Sequence, residues 1–171
     1  MVSSSPSATS SPSGSGIYES KLYGYTLTLP AGWLAGQQAL LPWDGVAPVG
    51  HADLDVDQFV GPNGTNAWAF SAPTSDTLQE YVLAGEAAAA RDHPCPATPA
   101  TTDAITIDGK DAQLTGMYCP ETGAGPLVLN AYTIHAGTGF IFGFQDPSHD
   151  PSAEPADRAA FADFVSAIRF K

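Results

Sequence analysis

The sequence predicts an α+β fold in which an antiparallel β-sheet of about six to seven strands is flanked by helices. Two hairpin turns, at Asp108-Gly109 and His135–Gly139, join consecutive strands in the second half of the chain and place those strands antiparallel. The segment Phe140–Phe144 is apolar on both faces, which predicts a central strand covered on both sides. Two amphipathic helical segments are available to cover this sheet.

The first half of the chain is predicted to be mostly strand. Tyr25–Leu29 alternates apolar residues with threonine, the pattern of a half-buried strand. Leu41–Val49 carries prolines and a glycine, which predicts a loop. The other predicted elements are a short strand or turn at Trp33-Leu34, a strand from about His51 to Val60, a turn at Gly61–Gly64 and a strand at Ala67–Ala72.

The first predicted helix begins at a capping box made by Thr77 and Glu80 and ends before Pro94. The final helix is predicted from about Ser152 to Ile168. The residues expected to face the core from these helices are Leu78, Tyr81, Val82, Gly85, Ala88 and Ala89 in the first, and Phe161, Phe164, Val165 and Ile168 in the second. Between the helices, strands are predicted around Ile105–Ile107, Ala112–Tyr118 and Leu127–Ile134, with a turn at Gly123–Pro126.

Residues 1–16 differ in composition from the rest of the chain, with eight Ser, two Pro, two Gly and no charged residue. This segment has little to bury, so we expect a disordered tether followed by a single domain over residues 17–171. A spacer of this kind is typical of an exported domain at the cell surface and is compatible with a lipid anchor upstream. A cytosolic protein with an unusual tail is the alternative. The Ala-, Gly- and Pro-rich, Lys-poor composition suggests an actinobacterial source.

The charge of the chain restricts its partners. The formal net charge is −12, which argues against nucleic acid and anionic lipid surfaces as binding partners. No apolar run reaches the roughly 18 residues that a membrane-spanning helix needs.

The two cysteines, Cys95 and Cys119, have no metal-ligand spacing. A single pair in an exported chain predicts one disulfide. It would close a loop of about 25 residues and stabilise the domain by roughly 3 kcal/mol. Two unrelated buried thiols are the alternative.

Several segments together resemble the Mog/PsbP-like fold, including its actinobacterial secreted lipoprotein branch. They are Tyr23–Trp33, the helix that follows the first strands, the strand Gly139–Phe144, and the closing helix with Ile168-Arg169-Phe170. The resemblance extends over about Tyr18–Lys171 and implies an α/β/α sandwich. It also implies a non-enzymatic role as an adaptor, assembly factor or accessory subunit, with no shared catalytic residues or cofactor.

An acidic segment is the sharpest local pattern. If it is a strand, His51, Asp53, Asp55 and Asp57 share one face, and oxygen ligands of this kind suit Ca²⁺ or Mg²⁺. The segment fails the EF-hand pattern, because Gln58 and Gly64 stand where a glycine and a bidentate glutamate are required. A solvated outer face or a charged sheet edge is the alternative interpretation.

A second acidic group contains Asp146, His149, Asp150 and Glu154, just before and at the start of the final helix. Negative charge and short polar side chains are favourable at a helix N-terminus. We therefore interpret this group as helix capping.

Leu41 and Trp43 lie in the predicted Pro/Gly-rich loop and are the candidate docking residues. No nucleophile elbow, P-loop or dinucleotide-binding motif occurs in the sequence. We therefore expect a non-enzymatic binding or accessory module with an unidentified protein partner in the cell envelope. Binding of calcium or another small ligand at the acidic strand is the alternative function.

Overall fold

The computed structural model describes residues 16–36, 39–42, 53–92, 101–117, 127–147 and 150–171. Within these residues the chain forms eleven strands and two α-helices. The strands are β1 (Ile17–Glu19), β2 (Tyr25–Thr28), β3 (Leu34–Ala35), β4 (Ala39–Pro42), β5 (Asp53–Val60), β6 (Asn66–Pro73), β7 (Thr101–Ile107), β8 (Lys110–Met117), β9 (Leu127–His135), β10 (Thr138–Asp146) and β11 (Ile168–Phe170), and the helices are α1 (Leu78–Asp92) and α2 (Glu154–Ser166).

The strands form two antiparallel sheets. The large sheet has the order β3-β5-β6-β10-β9-β8-β7, and β4 pairs with the other half of β5. The small sheet has the order β1-β2-β11. The α+β class and the antiparallel sheet of about seven strands are confirmed, whereas the separate small sheet was not predicted from the sequence.

β10 lies at the centre of the large sheet, as predicted from its two apolar faces. It pairs with β6 on one side and β9 on the other. Phe140, Phe142 and Phe144 pack into the core beneath α2 and the small sheet. Ile141 on the opposite face packs into a second core beneath α1. The sheet is therefore enclosed between α1 on one side and α2 with the small sheet on the other.

The first helix begins as the capping box predicts. The Thr77 amide donates to Glu80 Oε2 at 2.9 Å, and the Glu80 amide donates to Thr77 Oγ1 at 3.3 Å. These reciprocal bonds satisfy donors that the first turn of the helix leaves free.

The end of the second helix differs from the prediction. α2 ends at Ser166, and Ile168 begins β11, which pairs with β2. Ile168 is buried, as predicted, although it lies in a strand. A helix continuing to Ile168 would forfeit the backbone hydrogen bonds that β11 makes with β2, because the small sheet needs this strand in extended form.

Both hairpins have the predicted tight turns. Asp108 and Gly109 have φ values of 50° and 71°, and Ala136 and Gly137 have φ values of 49° and 74°. Two consecutive positive φ values are the signature of the type I′ turn, whose twist matches that of the adjoining strands.

The prediction of a loop over Leu41–Val49 is wrong for its first two residues. Leu41 and Pro42 belong to β4 and pair with Leu54 and Asp53 of β5. The remainder of that predicted loop, from residue 43 onward, lies outside the described residues. Of the two described helices, neither is long and apolar enough to cross a membrane.

Candidate functional site

A buried carboxylate joins the two sheets. Asp57 of β5 is fully buried, and each of its two oxygens accepts a hydrogen bond from a tyrosine. The Tyr18 hydroxyl donates to Oδ1 at 2.6 Å, and the Tyr25 hydroxyl donates to Oδ2 at 2.8 Å. Tyr18 belongs to β1 and Tyr25 to β2. We call these three residues the inter-sheet triad, because they connect the small sheet to the large one.

The electrostatics of the triad keep both phenols protonated. Burial is the main cause that raises the pKa of Tyr18 and of Tyr25 well above the usual tyrosine range, and the adjacent Asp57 raises both further. A neutral phenol can donate a hydrogen bond, and a phenolate cannot. The two donors therefore remain available to the carboxylate over the whole physiological pH range.

The position of Asp57 corrects one interpretation of the acidic segment. The interpretation of the acidic segment as a solvated outer face is wrong at Asp57. This residue and Phe59 point into the core beneath the small sheet. The side chains of Asp53 and Asp55 and the whole of His51 lie outside what the structure describes. Calcium binding at this strand stays a prediction, and the hydrogen bonds to Tyr18 and Tyr25 already engage both oxygens of Asp57. No three His, Cys, Asp or Glu residues among those described are placed to hold a metal ion.

A second polar contact fixes α1 to the large sheet. Glu86 Oε1 accepts hydrogen bonds from Thr115 Oγ1 at 2.6 Å and from the Tyr132 hydroxyl at 2.8 Å. Burial, followed by the nearby charge of Glu86, raises the pKa of Tyr132 well above its usual range. Like the inter-sheet triad, this contact pairs a carboxylate with hydroxyl donors.

The acidic group before α2 has two distinct roles. Asp150 Oδ1 accepts from the amide of Ser152 at 2.8 Å and from its hydroxyl at 2.7 Å. Asp150 thus bonds to the short 3₁₀ turn Pro151–Ala153 that precedes α2, and these hydrogen bonds lower its pKa. Capping of α2 itself is wrong for Asp150, because no side chain caps this helix. Asp146 is not a cap, because its side chain is buried at the end of β10 and no side chain caps α2.

The remaining members of this acidic group are placed differently. Glu154 accepts from Arg158 Nε at 2.8 Å, an interaction between successive turns of α2. His149 lies outside the described residues.

The other predicted site residues lie at or beyond the limits of the described chain. Leu41 is held in β4 by backbone pairing with Leu54, and its side chain is not described. Trp43 lies outside the described residues, as do Cys95 and Cys119, so the disulfide stays a prediction.

The fold is similar to that of two solved structures. The solution structure of cyanobacterial PsbP (CyanoP) from Synechocystis sp. PCC 6803 matches with a TM-score of 0.59 and 13% sequence identity, over 98% of each chain. A crystal structure from Bacteroides thetaiotaomicron VPI-5482 matches with a TM-score of 0.54 and 12% identity, over 92% of this chain and 48% of that one.

These similarities confirm the PsbP-like fold and, at such low identity, show the fold alone. The secreted lipoprotein branch stays a prediction. No family model and no curated protein matches the sequence.

Proposed function

We propose that this chain is a non-enzymatic accessory domain, exported and held at the cell envelope by residues 1–16, that docks on a protein partner through Leu41 and Trp43. The observation that carries the proposal is the PsbP-like fold, which matches CyanoP over 98% of both chains. The resemblance identified from the sequence implies that proteins with this fold act as adaptors, assembly factors or accessory subunits. A disulfide between Cys95 and Cys119 belongs to the same proposal, because it suits an oxidising compartment.

The contacts made by Asp57 and Glu86 support a non-enzymatic role. A general acid or base must come within hydrogen-bond reach of a substrate proton. Asp57 is fully buried, and both of its oxygens are engaged by Tyr18 and Tyr25. Glu86 accepts two hydrogen bonds that hold α1 against the sheet. Both carboxylates thus contribute to packing between elements.

The position of β4 supports the choice of docking segment. β4 lies at the edge of the large sheet, and among the described strands it pairs with β5 alone. This pairing fixes the backbone at Leu41 on the sheet rim, and the chain leaves β4 directly into Trp43. Tryptophan is enriched among the residues that dominate the binding energy of protein interfaces, so Trp43 is the proposed anchor and Leu41, two residues before it, the flanking contact.

The charge of the chain indicates what the partner surface carries. A formal net charge of −12 favours a partner with a basic surface around an apolar contact. The rate of association should then fall as salt concentration rises.

Affinity capture from cell-envelope extract tests this function. The wild-type domain is compared with the double variant Leu41→Ala/Trp43→Ala and with Leu22→Ala/Leu83→Ala, a control that removes exposed apolar side chains elsewhere. We expect one protein to be recovered with the wild type and the control and lost with the double variant, while the thermal melts of all three remain cooperative. Equal recovery with all three folded proteins would refute the docking segment.

A further inference from the structure

Nine residues on the α1 side of the large sheet form a surface without charge. Residues paired directly across antiparallel strands lie on the same face of a sheet. The register of β5, β6, β10 and β9 therefore places in one row Gln58, Trp68, Gly143 and Asn130. The next row on this face, two positions away along each strand, consists of Leu34, Val60, Asn66, Gln145 and Val128. We call these nine residues the amide face, because its polar side chains belong to glutamines and asparagines.

The amide face adjoins the core beneath α1. Phe70, Ile141 and Tyr132 form the neighbouring row on the same face, and they are buried against Tyr81 and Val82 of α1. Within the amide face Val60 and Asn66 are exposed, and half-buried positions are held by Leu34, Gln58, Trp68, Gln145 and Val128. The amide face therefore reaches solvent where the core beneath α1 ends.

Trp68 lies at the middle of the amide face. It belongs to β6, which is the central strand of the series β3-β5-β6-β10-β9 that builds this face. A Cβ added at Gly143 would overlap the indole atoms Cε2, Nε1 and Cζ2, so the indole lies directly over the backbone of β10. The glycine thus makes room for a shallow aromatic surface, which suits face-to-face packing of two sheets.

The chemistry of the amide face indicates what can cover it. It holds none of the 18 acidic and 6 basic residues of the chain, so a basic partner would find no carboxylate on it. A primary amide both donates and accepts hydrogen bonds. Two copies of this face can therefore bond each other across a two-fold axis, where each patch meets its own copy. A surface with a single sign of charge would repel its copy instead.

We propose that the amide face is the contact surface of a homodimer, in which two copies of the large sheet pack face to face around Trp68. Depletion of charge and an aromatic residue at the centre are typical of the core of a protein interface. The face spans about 19 Å across five strands and covers less than the roughly 800 Å² per partner of a standard interface. The dimer should therefore dissociate reversibly, with a dissociation constant on the order of 10 to 100 µM. This inference does not depend on docking through Leu41 and Trp43.

Salt should strengthen this dimer. Two copies that each carry a formal net charge of −12 repel each other, and salt screens that repulsion. The dissociation constant should fall several-fold between about 0.05 M and about 0.5 M sodium chloride. Binding to a basic partner surface would weaken over the same range, so the salt response separates the homodimer from the proposed docking on an envelope protein.

Analytical ultracentrifugation of the purified protein tests the homodimer. The weight-average mass should rise from monomer toward dimer between about 1 µM and about 300 µM. Gln145→Glu brings two like charges together in the interface and should weaken the dimer at least about ten-fold, as should Val60→Glu at an exposed position. Gln79→Glu adds the same charge at an exposed position of α1 and should leave it nearly unchanged. A monomer at every concentration, or equal dimerisation in Gln145→Glu and Gln79→Glu, would overturn the proposal.

Nuclear magnetic resonance of the wild-type protein gives a readout without substitutions. On dilution from about 300 µM, the side-chain amide signals of Gln58, Asn66 and Gln145 and the indole N–H signal of Trp68 should shift together. The side-chain amide of Gln79 serves as the internal reference. Dilution shifts confined to signals outside the amide face would overturn the proposal, because the dimer would then use another surface.

Discussion

The inter-sheet triad can be tested by removing one hydroxyl. Tyr25→Phe deletes the donor that lies 2.8 Å from Asp57 Oδ2, and both residues are fully buried. The ring can keep its edge-to-face contact with Phe142, whose centroid is 5.6 Å away. The substitution therefore isolates one hydrogen bond to a buried carboxylate.

The burial of this pair sets the expected magnitude. A hydrogen bond to a charged group contributes about 1.5 to 3 kcal/mol, and no water can replace the lost donor in a closed core. We expect Tyr25→Phe to lower the free energy of unfolding by about 2 kcal/mol. Tyr18→Phe should cost less, about 1 kcal/mol, because Tyr18 is only partly buried.

Tyr81→Phe is the matched control for these variants. Tyr81 is also fully buried, but its hydroxyl has no hydrogen-bond partner among the described residues. Removing an unsatisfied buried hydroxyl should be neutral or stabilising. Urea unfolding followed by far-ultraviolet circular dichroism measures all three variants on one scale. If Tyr25→Phe lost no more stability than Tyr81→Phe, the triad would not connect the sheets as described.

Three further outcomes are expected. Gly85→Ala should lower Tm although alanine favours the helix by about 1 kcal/mol, because the added Cβ would clash with the buried Tyr132 ring. An unchanged or higher Tm would contradict this packing. Alkylation followed by measurement of the intact mass should label Cys95 and Cys119 only after reduction, in protein made under oxidising conditions. Two thiols that react before reduction would contradict the predicted disulfide. Calorimetric titration with millimolar calcium should give no heat, and saturable heat lost in Asp55→Asn would instead favour the acidic strand as a cation site.

Most of the secondary structure could be predicted because its signals are local. The two type I′ hairpins and the capping box of α1 each depend on residues close together in the chain. β1 and β11 are three residues each, too short for a periodic pattern. The predicted loop Leu41–Val49 takes in the last two residues of β4 because it is rich in proline and glycine, although a sheet edge tolerates Pro42.

The candidate sites were harder to predict because their partners come from distant segments. Alternation predicts that Asp57 shares a face with His51, Asp53 and Asp55, but it cannot show that Tyr18 of β1 and Tyr25 of β2 cover this face at Asp57. Val56 on the opposite face is buried as well, so hydropathy does not distinguish the two faces. Asp146 is buried at the end of β10, whereas its place among acidic residues before the final helix suggested capping.

Site-specific photo-crosslinking from the docking segment tests the proposed function most directly. An aromatic photoreactive amino acid, which keeps an aromatic ring at the anchor position, replaces Trp43 in one protein and Leu83, exposed on α1, in the control. Irradiation with envelope fractions should yield one covalent adduct from position 43 that position 83 does not give. Unlabelled wild-type domain should suppress that adduct, and Leu41→Ala/Trp43→Ala should not. No adduct from position 43, or the same adducts from both positions, would contradict docking through this segment.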